Sequence, residues 1–549
     1  MKLRFYPVIF FILTLIPAWA LAGFTQDTIK TALIAEFYLQ EHDFNRAFAQ
    51  YEKLAKTNDD ENVLRRLFDI SLIMGKLDII EKSSKLIIKK KPDDIAANQN
   101  YLVALIGQNK FEQARIQIHR LHLAVKTQQG DLAKVFQKLA LIKNKDGVAS
   151  LLEGLLAKIK PDKEDWHALA VFYSVHSEYD QAISAVDKSI KLDSKWEDSN
   201  LLKARILYTR NLKGQAIEFI KTYYQKYNSN QAGVTYANML IGNSDFPEAI
   251  RVYEKLIKSD DSPELIDALA TLYANRKQYT KARRLFHKLQ NIRGFKDKSN
   301  YYLGVIKKEQ GELKFAQENF IKVGRGEYYL DSRLNVALIL AKTDVATGIA
   351  YLDSLKIPDL KSHSMIITTK AEIYKENNQL DKAYVILTNA INEYYQSDLL
   401  YERALLAEKM GQIDSMEQDF LTILKNDPDN ANALNALGYT LTEQTDRFLE
   451  ALSYIEKALQ LEPEQSYILD SMGWVQFKLG RIEEALKYLL RAYNKSNDPE
   501  IAAHISEVYL HNGDKSNALK FFKSGLKLDA KHPAVLKIMK LLQDKGIYH

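Results

Sequence analysis

Cysteine is absent from the 549 residues. That absence excludes disulfides, thiolate zinc sites, iron–sulfur clusters, cysteine nucleophiles and a lipidated N-terminal cysteine. Glycine and proline are scarce, at 22 and 11 residues, where average composition would give about twice as many. Turn-dense sandwiches, barrels and doubly wound folds use both residues at every reversal, so a mostly helical chain is expected. Beyond the N-terminus no apolar run approaches the roughly 20 residues that a membrane span needs. The net charge of +6 is small for this length and indicates no nucleic-acid partner. What is present, 46% hydrophobic and 27% charged residues, is the composition of a folded, water-soluble protein.

The first 22 residues read as an export signal. Lys2 and Arg4 precede an apolar run from Phe5 to Leu15, then Pro17 and the small-residue pattern Ala20-Leu21-Ala22. Cleavage after Ala22 is expected, with an uncleaved membrane anchor as the rival reading. Leu21-Ala22-Gly23 is followed by Phe24 where a lipoprotein would carry cysteine, so no lipid anchor is expected. Membrane contact then depends on the signal staying uncleaved.

A small-residue motif recurs along the rest of the chain. Its first positions are Ala47, Ile80, Ala114, Ala149, Ala182, Ala216, Ala249, Ala282, Ala316, Gly348, Ala383, Met416, Ala451, Ala485 and Ala518, a period of about 34 residues. Pairs such as Ala170/Tyr173, Ala237/Leu240 and Ala371/Tyr374 lie about 12 residues earlier, on a preceding helix. Spacings of three and four put each set on one helical face, so each period makes two amphipathic helices in an antiparallel hairpin. Pro92, Pro161, Pro428 and Pro463 fall at period boundaries, where proline stops a helix, and Asp93, Asp429 or Asn430 can cap the next.

This pattern resembles the tetratricopeptide repeat. The best copies are the last: Asn432-Ala-Leu-Asn-Ala-Leu-Gly438-Tyr439 with Ala451, Ile455, Ala458 and Pro463, then Leu469, Met472, Gly473, Ala485, Leu489 and Ala492. The resemblance implies an all-α, right-handed superhelical solenoid of about fifteen helix-turn-helix units over residues 23–430 and 431–549. Units near 125–161 and 324–358 are degenerate, and residues 431–549 hold the best copies and a capping helix from Pro533 to about Asp544.

Repeats account for nearly the whole chain, leaving no stretch for a separate catalytic domain. His119 and His122 stand three residues apart without the His-Glu-x-x-His arrangement, and no phosphate-binding glycine loop or serine elbow is present. No enzyme activity, metal or cofactor is expected. Lys89-Lys90-Lys91 precedes Pro92, where positive charge complements a helix C-terminus.

In such solenoids the first helices line the inner surface. Asn432, Asn435 and Tyr439 fall beside the Leu434/Leu437/Leu441 stripe of their helix. Tyr467, Asp470, Trp474 and Phe477 take equivalent places in the next unit. Amides that bond an extended backbone, beside aromatics with broad apolar contact, make these seven the candidate peptide-binding residues. Removing Trp474 and Tyr439 is expected to weaken partner binding and leave helicity intact.

Asn435-Ala-Leu-Gly-Tyr-Thr-Leu and Ile468-Leu-Asp-Ser-Met-Gly-Trp-Val are similar to exported repeat proteins of Gram-negative bacteria, among them a lipoprotein adaptor of a carboxyl-terminal processing protease. That resemblance implies a non-enzymatic periplasmic scaffold whose partners include a periplasmic protease and cell-wall hydrolases. An accessory role in envelope polysaccharide biosynthesis or export is the alternative.

Overall fold

The computed structural model describes residues 26–57, 60–142, 144–356 and 359–548, so the expected export signal and Phe24 lie outside the described residues. Among the described residues there are 31 α-helices and no strand. The chain divides into two compact units, Met1–Gln278 and Tyr279–His549.

The first unit holds α1 (Gln26–Gln40), α2 (Phe44–Thr57), α3 (Glu61–Met74), α4 (Leu77–Lys90), α5 (Ile95–Gly107), α6 (Phe111–Thr127), α7 (Leu132–Leu139), α8 (Lys145–Leu156), α9 (Lys163–Val175), α10 (Tyr179–Leu192), α11 (Glu197–Thr209), α12 (Lys213–Tyr227), α13 (Asn230–Gly242), α14 (Phe246–Ser259) and α15 (Pro263–Asn275). The second holds α16 (Tyr279–Leu289), α17 (Lys296–Glu309), α18 (Leu313–Ile321), α19 (Tyr329–Ala341), α20 (Val345–Asp353), α21 (Leu360–Glu376), α22 (Leu380–Glu393), α23 (Ser397–Lys409), α24 (Ile413–Asn426), α25 (Ala431–Gln444), α26 (Phe448–Leu461), α27 (Ser466–Lys478), α28 (Ile482–Lys495), α29 (Pro499–His511), α30 (Lys515–Leu528) and α31 (Pro533–Asp544). Odd-numbered helices through α29 are the first helices of the repeat and even-numbered ones the second, with α31 as the closing helix. Each unit is an all-α stack of helix hairpins.

The marker residues sit where helices cross. Ala47, Ala182, Ala249, Ala383, Ala451, Ala485 and Ala518 are fully buried. Gly438 and Gly473 show why small residues stand there. A Cβ on Gly438 would lie 2.5 Å from Ile455 Cγ1, and one on Gly473 2.6 Å from Leu489 Cγ. Phe172, Phe286, Phe320, Phe420 and Phe522 fill the spaces between helices, each contributing about 1.5–3 kcal/mol on burial.

Most hairpins reverse through one left-handed residue, such as Asn109, Ser177, Asn211, Gly411 and Gly480. The α7/α8, α19/α20 and α25/α26 connections carry no such residue among those described; the first two belong to units expected to be degenerate and the third to one of the best copies. In the first of these, α7 is only eight residues long. It packs against α9, while α8 packs against α6. The marker there is displaced as well: Val148 is fully buried and Ala149 half-buried.

Asn430 caps its helix as expected, accepting the Ala433 N–H at 3.0 Å, while Asp429 pairs with Lys457; in the earlier repeat Asp94, not Asp93, accepts the Ala97 N–H at 2.8 Å. The four prolines lie between helices as expected. On α31, Val535, Ile538 and Leu542 are buried and Leu536 is exposed, as a closing helix requires. No helix among the described residues is long and apolar enough to cross a membrane.

Candidate functional site

The seven expected binding residues separate into three groups. Asn432 and Tyr467 are exposed and joined to each other, the Tyr467 hydroxyl donating to Asn432 Oδ1 at 2.7 Å. Tyr439 and Phe477 are half-buried. Asn435, Asp470 and Trp474 are buried, at 8%, 6% and 0% exposure. The expectation that Trp474 stands clear of the packing is therefore corrected. A first helix packs on its hairpin partner and also on the neighbouring first helices, and α27 touches both α25 and α29. The flank that carries Trp474 is a second core surface.

Its organiser is His504 on α29, a residue that sequence reasoning passed over because the other histidine of its helix, His511, stands two turns away. The His504 ring stacks on Trp474 with centroids 4.0 Å apart, and its Nδ1 lies 3.0 Å from Asp470 Oδ1. Trp474 Nε1 donates to Glu443 on α25, and the Tyr439 hydroxyl donates to Glu500 on α29 at 2.9 Å. Burial is the largest influence on His504 and pushes its pKa down. The carboxylates of Asp470, Glu500 and Glu443 outweigh it, so the imidazole is held above its ordinary value. Burial first, then Glu500, Asp470 and Glu443, push the Tyr439 hydroxyl up. Phe477 covers the edge of the cluster between Trp474 and His511. Asn435 Oδ1 has no hydrogen-bond partner among the described residues.

An open groove on the first-helix side lies in the other unit. A cavity of about 920 Å³ runs across α7, α9 and α11, lined by Lys134, Glu164, His167, Val171, Trp196 and Arg205 among others. His167 Nδ1 lies 3.0 Å from Ser199 Oγ, and its ring is 4.8 Å from the half-buried Trp196. Burial pushes the His167 pKa down, so the ring is neutral near pH 7 and offers its polarity without charge. At one end Lys126 bonds both Asp162 and Glu164 at 2.8 Å. The groove opens beside the eight-residue α7, so the degenerate unit near 125–161 was its sequence signal.

His119 and His122 are both part-exposed, and His122 Nε2 is engaged with Asp165 Oδ1 at 2.7 Å. No group of three metal-ligating side chains occurs among the described residues.

A tetratricopeptide repeat model matches residues 401–466 and 471–533. A TPR repeat-containing protein of Pseudomonas aeruginosa is 26% identical over 494 residues, 88% of this chain and 83% of that protein. The tetratricopeptide repeat-containing protein trd-1 of Caenorhabditis elegans is 26% identical over 190 residues, 33% of this chain and 24% of its own length. The solved structure of Naa15/Naa10 bound to HypK-THB, 14% identical, covers 95% of this chain and 96% of that one with a TM-score of 0.35. Residues 401–466 and 471–533 are thus tetratricopeptide repeats.

Proposed function

We propose that this chain is a non-enzymatic scaffold that binds protein or peptide partners along its first helices. The observation that carries the reading is the groove across α7, α9 and α11, where three successive repeats contribute side chains to one continuous surface. Hydrogen-bonding groups alternate there with Val171, Leu202 and Trp196, a lining suited to an extended segment that presents backbone amides and an occasional apolar side chain. Tetratricopeptide repeats are generally protein-interaction modules, which supports the same class of partner. The N-terminal signal supports a periplasmic location, with substrate presentation to a periplasmic protease as the specific role.

Affinity capture from periplasm with the full chain tests this. A protease or cell-wall hydrolase that is captured by the natural chain and weakened by Trp196→Ala with His167→Ala, at unchanged helicity, is the expected result. Capture of polysaccharide synthase or export subunits would replace the protease role by an envelope-assembly role. Substrate turnover by the purified chain alone would overturn the scaffold reading.

A further inference from the structure

The opposite side of the same unit carries a surface that the scaffold reading does not use. It is formed by the second helices α4, α6 and α8. Two clefts flank α6: one of about 570 Å³ between α4, α5 and α6, and one of about 200 Å³ between α6 and α8. Along α6 itself, Ile116 and Leu123 are 61% and 66% exposed, and Arg115, His119 and Arg120 alternate with them. Isolated exposed aliphatics are ordinary, but two on one stripe beside two clefts make a patch.

The charges on this surface are unbalanced. Lys85 is held by Glu81 at 2.7 Å and Arg115 by Glu112 at 3.4 Å. Lys89, Arg120 and Lys158 form no ion pair among the described residues, although all three line the clefts. Asp93 is the carboxylate in the larger cleft, and the smaller one has none. An anionic partner would find three unengaged cations lining the two clefts.

Gly154 supplies an independent observation. It lies inside α8, on the wall of the smaller cleft, and a Cβ built on it would meet nothing within 4 Å. Glycine inside a helix is destabilising relative to alanine. Neither a positive φ nor a close neighbour within the chain requires it here. A side chain at 154 would instead stand in the cleft.

We propose that the α4/α6/α8 face is a docking site for an acidic protein segment that places aliphatic side chains in the two clefts and carboxylates on Lys89, Arg120 and Lys158. A folded nucleic acid or a lipid surface fits less well. Three cations around two separate clefts, the larger mainly apolar, neither track a phosphate backbone nor form a flat insertion surface.

The test uses the full chain and a fluorescein-labelled peptide of alternating glutamate and leucine, read by fluorescence anisotropy at low salt. Binding is expected to weaken roughly tenfold in Arg120→Glu with Lys158→Glu. Gly154→Phe, which fills the smaller cleft without changing charge, is expected to weaken it as well. Both variants should keep the circular dichroism spectrum and unfolding midpoint of the natural chain. Equal affinity for polyglutamate would overturn the proposal by showing plain charge attraction. Tighter binding to phosphatidylglycerol vesicles or to single-stranded DNA than to the peptide would overturn it in favour of those partners. Peptide binding that is absent, or untouched by both variants, would overturn it outright. None of these outcomes bears on the groove across α7, α9 and α11, which is assayed by Trp196→Ala.

Discussion

The indole of Trp474 lies on the imidazole of His504 with ring centroids 4.0 Å apart and planes 18° from parallel. Two successive first helices are joined through that stack, and both rings are buried. Replacing Trp474 by alanine removes the stack, the bond to Glu443 and a large buried volume. The expected loss is about 3–5 kcal/mol, seen as a lower urea midpoint by far-ultraviolet circular dichroism. An unchanged midpoint would show that the indole is a surface group after all.

His504 makes the stability of these repeats depend on pH. Its folded pKa is raised, so its protonated form stabilises the fold fully below the unfolded value of about 6.5, and that contribution is lost as pH rises through the folded value. The groups facing it are Asp470 on α27, Glu500 on α29, and Glu443 and Tyr439 on α25, with Lys478 and Lys537 farther out over the Trp474 ring. Each unit of elevation is worth about 1.4 kcal/mol. Urea midpoints should fall from about pH 6 to about pH 8 in the natural chain, and the fall should shrink in His504→Gln.

Close helix approach sets the next expectation. A Cβ at position 438 would be 2.5 Å from Ile455 Cγ1 and 2.9 Å from the Ala451 carbonyl oxygen, a backbone atom that cannot swing aside. Gly438→Ala is therefore expected to cost about 1–3 kcal/mol, and Gly438→Leu to separate α25 from α26. Ala485→Asp should unfold the neighbouring repeats, because it places a carboxylate at a fully buried position without a partner. Thermal unfolding of the three variants, ranked alanine, then leucine and aspartate, checks both.

Arg403 on α23 forks onto Asp419 of α24, with Nε and Nη2 at 2.8 and 2.6 Å from the two carboxylate oxygens, and Nη1 donates to Thr388 of α22 at 3.0 Å. Asp419 is 3% exposed. Arg403→Met strands that carboxylate and should cost about 3–5 kcal/mol, whereas Arg403→Met with Asp419→Leu should recover much of the loss. Urea titration of the single and double variants separates the two effects. A double variant no more stable than the single would show that the ion pair itself, and not the stranded charge, is what matters.

The repeat was legible because its signal is local. A small residue every 34 or so positions, with bulky neighbours three and four away, states which face of a helix is covered, whatever covers it. The succession of helices, the proline boundaries and the closing α31 all follow from such spacings. Asn430 was named among the caps and Asp94 was missed by one residue, since two adjacent polar residues before a helix cap it equally well on paper. The candidate site was far less legible. Of its seven residues Asn432 and Tyr467 are exposed, while Trp474 and Asp470 are enclosed by His504 from a helix some thirty residues later.

By itself the amino-acid sequence determined the helices and the order of the repeats, because hydrophobic periodicity and helix capping act within a few residues. Only the tertiary structure decided which flank of each first helix meets solvent. That choice depends on how closely the next repeat approaches. At α27 it closes over Trp474, and beside the shortened α7 it leaves the flank of α9 open as a groove. A contact between side chains on different repeats has no periodicity of its own, so nothing in the chain's local pattern records it.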